Sequence, residues 1–175
     1  MIYNYQTFIG IDPGKTGAIA AISPEGIKLI DCPCTEIRTK VKSPKPKFKT
    51  VLESNPELMA NELKKLITFN TVVILESVHS MPKQGLSSTF DFGMNFGIWQ
   101  GIIAALGIPL ELVTPQVWKK HFGLIREEKD ASRIKAMQLF PEVGKDLKLK
   151  KNNGRAEALL MAEYLRRKTI KDRVA

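Results

Sequence analysis

Residues that staple a chain or ligate soft metals are almost absent, with two cysteines and two histidines in 175 residues. Cys32 and Cys34 flank a single proline, C-P-C, a spacing at which bridging geometry is implausible. Two sulfurs and two scattered imidazoles make no convincing zinc set, so they read as ordinary thiols. Long apolar runs are missing too. The longest candidate, Phe96 to Leu112, is broken by Gln100, Gly101, Gly107 and Pro109, whereas a bilayer span needs roughly 20 apolar residues. The first apolar run, Phe8 to Ile11, is too short for a leader and runs into Asp12. These gaps predict no signal or transit peptide and no membrane partner. The expectation is a soluble, cytoplasmic protein, bacterial or viral and acting in its host. The chain has no internal repeat and no low-complexity tract.

Acidic residues are also scarce, 18 against 27 lysines and arginines, which leaves a net charge of +9 and a pI near 9.6. Such a balance points to a polyanionic partner. The cations cluster. Arg38, Lys40, Lys42, Lys45, Lys47 and Lys49 are interleaved with Pro44 and Pro46. Lys145, Lys148, Lys150 and Lys151 form a second group, and Arg166, Arg167, Lys168, Lys171 and Arg173 a third. Phosphate contacts of this kind supply affinity and salt dependence, not sequence choice.

With 43% hydrophobic residues, a chain of this length suits a single domain over residues 1–175. Apolar periodicity predicts strands at Thr7–Ile11, Ala18–Ile22 and Ile27–Ile30, separated by Gly- and Pro-containing turns. The basic stretch from Thr35 to Thr50 reads as a loop or an open hairpin. A helix begins near Ser54, with Ser54 and Glu57 placed as a capping box and Pro56 in the first turn. Thr71–Leu75 is an unalternated β-branched run that suits a central strand covered on both faces. Helix Phe92–Leu106, strand Leu110–Val113 and helices Pro115–Phe122, Ala131–Phe140 and Gly154–Arg167 follow. Gly93, Gly97 and Gly101 recur every four residues and share one helix face, suited to close packing on the sheet or on a second subunit. The order of elements describes an α/β fold of RNase H-like type, a mixed five-stranded sheet flanked by helices.

Three carboxylates sit where apolar side chains belong. Asp12 ends the first strand and Glu76 the buried one. On the last helix, at 100° per residue, Arg155, Glu163 and Arg166 mark a polar face, and Glu157 falls opposite, among Leu160, Met161 and Tyr164. A carboxylate on an apolar face costs several kcal/mol unless something neutralises it, and no lysine or arginine is evidently aimed there. A shared divalent cation accounts for all three. Hard oxygen ligands suit Mg²⁺ or Mn²⁺, and two such ions about 4 Å apart serve phosphodiester cleavage. An acidic cap on a strand end is, by itself, a common structural feature.

The segments F-I-G-I-D-P-G-K-T-G-A, V-V-I-L-E-S and N-G-R-A-E-A-L-L-M-A-E-Y resemble, in order and spacing, the three metal-binding segments of RuvC-type Holliday-junction resolvases. P-K-Q-G, F-G-I-W-Q-G-I-I, V-W-K-K-H-F-G-L and K-D-A-S-R are similar to the chloroplast resolvase branch and its bacterial and phage-like relatives. The resemblance runs from Phe8 to Arg166. It implies a homodimer that nicks two opposed strands of a four-way DNA junction, with two Mg²⁺ per site (Mn²⁺ substituting) and no nucleotide cofactor. Asp12, Glu76 and Glu157 would be the metal ligands and, with Asn153, the catalytic residues. The family places an aspartate or histidine where this chain has Asn153, and an amide cannot act as a base. The alternative implied is a junction-binding protein with impaired cleavage. Lys15, His79, Lys83, Gln84, Lys119, Lys129, Arg133, Lys151 and Arg155 are the candidate DNA contacts, each against the reading of a solvated surface. His79, Met81, Phe90 and Phe92 are candidates to disturb base stacking, and for the two phenylalanines the competing reading is core packing. The D-x-G-x-T-G motif also occurs in kinase-type ATPases, but those need two lobes. The fold alone would also allow hydrolysis of RNA–DNA hybrids.

Overall fold

The computed structural model describes residues 5–41, 47–77, 85–128 and 130–174. Five strands form the central sheet: β1 (Thr7–Asp12), β2 (Ala18–Ser23), β3 (Gly26–Asp31), β6 (Thr71–Glu76) and β7 (Leu110–Val113), in the order β3-β2-β1-β6-β7. β1, β2 and β3 pair antiparallel, while β6 runs parallel to β1, and β7 to β6. This is the expected mixed sheet. The basic stretch folds as the open hairpin of the two alternatives, with β4 (Cys34–Val41) and β5 (Lys47–Ser54) making a separate two-stranded sheet.

Alternation along the strands feeds two cores. Ile9, Ile11, Ile19, Val73 and Leu75 face one layer, with Met59 and Leu63 of helix α1 (Pro56–Lys64) and Trp99 and Ile103 of helix α2 (Leu86–Ala105). Phe8, Ala18, Ala20, Val72 and Ile74 face the other. There they meet Trp118 of α3 (Pro115–His121), Ala136 of α4 (Ala131–Leu139) and the apolar side of α5 (Asn153–Val174). Two 3₁₀ segments, Pro141–Leu147 and Lys150–Asn152, lead into α5.

Helix α1 is capped by Asn55, not by the expected Ser54. The Asn55 Oδ1 accepts from the Leu58 N–H at 3.0 Å, whereas the Ser54 hydroxyl is buried without a partner among the described residues. Asn55 has the extended backbone of a cap residue and directly precedes Pro56, the arrangement that suits a cap followed by proline at N1. On α2, Gly93, Gly97 and Gly101 have open space where a Cβ would stand. The glycine face therefore does not pack on the sheet.

α5 crosses the sheet over its small residues. A Cβ at Gly10 would fall on the Ala158 carbonyl oxygen and 2.7 Å from the Ala162 nitrogen, and one at Gly154 would stand 2.6 Å from the Thr16 carbonyl oxygen. Backbone thus lies on backbone at both ends of the crossing. Adding a methyl group forces that contact apart, and overpacking of this kind costs about 1–3 kcal/mol. Gly10→Ala and Gly154→Ala should each lower the urea midpoint accordingly, and unchanged midpoints would show the contact to be slack.

Candidate active site

Asp12 and Glu76 end neighbouring parallel strands in adjacent register, since Ile11 pairs with Leu75. Their places in the alternation match those of Gly10 and Ile74, so both project toward α5. Glu157 lies one turn into α5, opposite them. Each acid has a dedicated partner. The Gly14 N–H donates to the Asp12 Oδ1 at 3.1 Å, the Trp118 Nε1–H donates to the Glu76 Oε1 at 2.8 Å, and the Ser132 hydroxyl donates to the Glu157 Oε1 at 3.2 Å. Lys119 pairs with Glu157 at 3.3 Å, and its charge also reaches Asp12 and Glu76. A cation therefore does face Glu157, contrary to the sequence expectation. It comes from α3, which is remote in sequence. A cavity of about 230 Å³ opens here, lined by Lys119, Ser132, Asn153, Glu157, Glu127 and Glu128 among others.

Among the described residues one lysine faces these acids and leaves them under-neutralised. Burial, then repulsion from Glu76 and Glu157, pushes the Asp12 carboxyl up to about 7 against the opposing Gly14 N–H and Lys119. Burial likewise raises Glu76, with Glu157 adding and the Trp118 N–H opposing. Among the described residues no three acid, imidazole or thiol groups stand as a ready-made metal cage. The donor set nevertheless fits a hard cation in chemistry and charge. Its oxygens carry excess negative charge in a dry setting, and the Asn153 Oδ1 is buried without a partner among the described residues on the wall of the same cavity. An orphaned buried carbonyl of this kind costs free energy unless something polar meets it.

Other predicted residues have different tasks. Arg133 is held inside, donating to the Leu147 and Lys148 carbonyls and pairing with Asp130, so it braces the 3₁₀ segment and is not free for phosphate. Arg155 grips Asp31 with two bonds of 2.6 and 2.7 Å, tying α5 to the end of β3. Lys15 pairs with Asp91 at 2.9 Å. Lys151 is exposed. His79, Met81, Lys83, Gln84 and Lys129 lie outside the described residues. Phe90 is 71% exposed rather than core, while Phe92 is half-buried against the Gly14 turn. Glu163, expected on a polar face of the helix with Arg166, is 2% exposed and clamped by Arg166 and Arg167 at 2.6 Å each. Three cations of the third basic cluster are thereby engaged within the fold, with Lys168 on Glu111.

Sequence reasoning missed Trp118 and Ser132. Trp118 carried a usable signal, because a buried indole N–H needs an acceptor and the residue adjoins Lys119. Ser132 carried none beyond its place in K-D-A-S-R.

In shape, the chain is similar to Thermus thermophilus RuvC in complex with a Holliday junction substrate, with a TM-score of 0.54 and 17% identity over 94% of this chain and 98% of that one. This is the RuvC fold. A second Thermus thermophilus RuvC structure gives a TM-score of 0.48 at 16% identity, over 93% of this chain and 97% of that one. In sequence, 85 residues (48% of the chain) are 34% identical to the Holliday junction resolvase MOC1, chloroplastic, of Chlamydomonas reinhardtii, a match that spans 10% of that protein's length. No protein-family model matches. The RuvC fold confirms the expected RNase H-like class, with the acid-bearing strand ends and α5 meeting on one side of the sheet. No helix among the described residues is long and apolar enough to cross a membrane.

Raised carboxyl values have a definite thermodynamic sign. An acid held at about 7 in the folded chain and near 3.8 when unfolded favours folding fully below the lower value, and that contribution is lost as pH rises through the upper one. Metal-free protein should therefore lose stability between about pH 4 and 8. Asp12→Asn should flatten most of that slope in chelator-containing urea titrations, with Glu76 supplying the remainder. An unchanged slope in the variant would show that Asp12 is not the strained group.

Proposed function

We propose that the chain is a structure-specific DNA endonuclease, a crossover junction endodeoxyribonuclease that resolves four-way junctions by symmetric nicks in two opposed strands. The observation that carries this reading is the meeting of Asp12, Glu76 and Glu157, one each from β1, β6 and α5, in a shared electrostatic environment on a RuvC fold. The likeness to MOC1 over 85 residues and to RuvC described with a junction supports the substrate class. Asp12, Glu76, Glu157 and the Asn153 carbonyl would hold divalent cations, two Mg²⁺ per site or Mn²⁺ in their place, which supply an activated water and stabilise the leaving oxygen.

The chain's own groups do the rest. Trp118 fixes the Glu76 carboxylate through its indole N–H, and Ser132 orients Glu157. Lys119 neutralises Glu157 until a phosphate enters, when its ammonium is positioned to bind a phosphate oxygen. Asn153 offers a carbonyl oxygen but no charge and no base, the observation behind the alternative of junction binding with impaired cleavage. Incubation of a four-way junction with Mg²⁺ or Mn²⁺ decides between them. Symmetric nicks that vanish in Glu157→Gln while the gel shift persists support the enzyme; a shift without nicks supports the binder. Asn153→Asp should raise the cleavage rate about tenfold or more, corresponding to at least 1.4 kcal/mol of transition-state stabilisation. An unchanged rate would remove the position from the mechanism.

Two opposed cuts call for two sites, and we propose a homodimer built on α2. Its exposed face carries Leu86, 91% exposed, Phe90 and the open glycines, a contiguous apolar surface of the kind that marks an interface. Sedimentation should give twice the 19.6 kDa chain mass, and Gly97→Leu should shift it to monomer without unfolding. A wild-type chain sedimenting as monomer would refute this arrangement.

A further inference from the structure

Beyond its base, where Cys34 packs against the core under α1 and α2, the β4–β5 hairpin belongs to neither core. Its strands pack on each other and scarcely touch the sheet or the helices, and the side chains of β5 are exposed or half-exposed except for Ser54 at the base. Eight residues per strand give it a length of about 25 Å. Charge along it is polarised. Glu36 and Glu53 stand near the base, and beyond them Arg38, Lys40, Lys47 and Lys49 are all cationic. Among the described residues none of these four makes an ion pair.

Register decides how the cations are displayed. Arg38 pairs with Thr50, Lys40 with Phe48, Thr39 with Lys49 and Val41 with Lys47. Alternation therefore puts Arg38, Lys40 and Phe48 on one face, and Lys47 and Lys49 on the other. The Arg38 guanidinium lies 4.9 Å from the Phe48 ring centroid, a contact that confirms the first face and steadies the side chain. A ribbon meant to lie flat along one strand of DNA would carry its cations on one side. This one carries them on both.

We propose that the hairpin enters the major groove of a duplex DNA arm, its two cationic faces meeting the phosphates of the two groove walls. The major groove of B-form DNA, about 12 Å wide, admits a two-stranded ribbon. The contact is sequence-independent because phosphates are what the four cations meet. Phe48, half exposed, supplies an apolar surface between the cations of the first face. The inference extends the proposed nuclease reading by giving its substrate's arms a docking element, yet it concerns binding to plain duplex and can be scored without any cleavage.

The test is the salt dependence of binding to a long, unbranched duplex. Each phosphate contact contributes about 0.9 to the slope of log K against log salt. The pairs Arg38→Gln with Lys40→Gln, and Lys47→Gln with Lys49→Gln, should each lower the slope by about two, and the quadruple variant by three to four. Circular dichroism and urea midpoints matching the unsubstituted protein would establish that the fold survives. A drop confined to one pair would mean flat docking, and no drop in either would mean no DNA contact; both overturn the proposal. Duplex RNA supplies a further arm, since its major groove is too deep and narrow to be entered. If the four cations contribute equally to RNA and DNA slopes, groove entry is wrong. Failure of the nuclease reading would show separately, as absence of nicks by the unsubstituted protein on a four-way junction.

Discussion

α5 lies directly on β1 and β2 because Gly10, Ala18 and Ala20 leave no side chains in its path and Gly154 lets its first turn press on Thr16 and Gly17. Every functional relation in the molecule depends on that approach. With the helix a side chain's breadth further out, Glu157 would stand apart from Asp12 and Glu76, and the Ser132 and Lys119 contacts that orient it would have nothing to meet. The buried apolar side of α5, with Ala156, Leu159, Leu160 and Met161 inaccessible to solvent, holds the crossing in place. Arg155 on Asp31 and the Arg166–Glu163–Arg167 clamp stand on either side of it along the helix. Ion pairs at these partly exposed positions add registry more than stability.

The site that results is electrostatically unfinished. Three acids crowd the ends of two strands and one helix, and among the described residues a single ammonium answers them. Dry surroundings and mutual repulsion hold the Asp12 and Glu76 carboxyls above their ordinary range, which is the state expected of groups awaiting a stronger cation than lysine. The orphaned Asn153 oxygen belongs to the same imbalance. Such arrangements destabilise the empty fold and are relieved by binding, so the strain and the proposed chemistry have one origin.

Cationic charge is sorted by the fold into two kinds. Arg133, Arg155, Arg166, Arg167 and Lys168 are engaged by carboxylates or carbonyls of the chain itself, and their charges hold elements together. Those of Arg38, Lys40, Lys47 and Lys49 on the β4–β5 hairpin, and of Lys145, Lys148 and Lys151, are exposed and form no ion pair among the described residues. A net charge of +9 therefore overstates what the third basic cluster offers to a polyanion and understates how far the free charge is concentrated on one projecting ribbon.

Periodicity and turn chemistry are local properties, and they were enough to place β1, β2, β6, β7, α3, α4 and the start of α5 within a few residues, because each strand or helix announces its own buried face. They also singled out Asp12 and Glu76, since a charge at the end of a dry strand is anomalous in any fold. The cap of α1 was misread by one residue, because Ser54 and Asn55 are both good caps and only the hairpin's return, with Asn55 also bonded to Thr35, decides between them. Helix periodicity put Glu163 on a polar face but could not show that packing of α5 buries it between two arginines. The type of each element and the acids to be explained were determined by the sequence alone, through interactions within a few residues. Which cation meets which acid, which glycines bear contact and which stay open, and which lysines remain free were decided by tertiary packing, because each depends on groups brought together from tens of residues away.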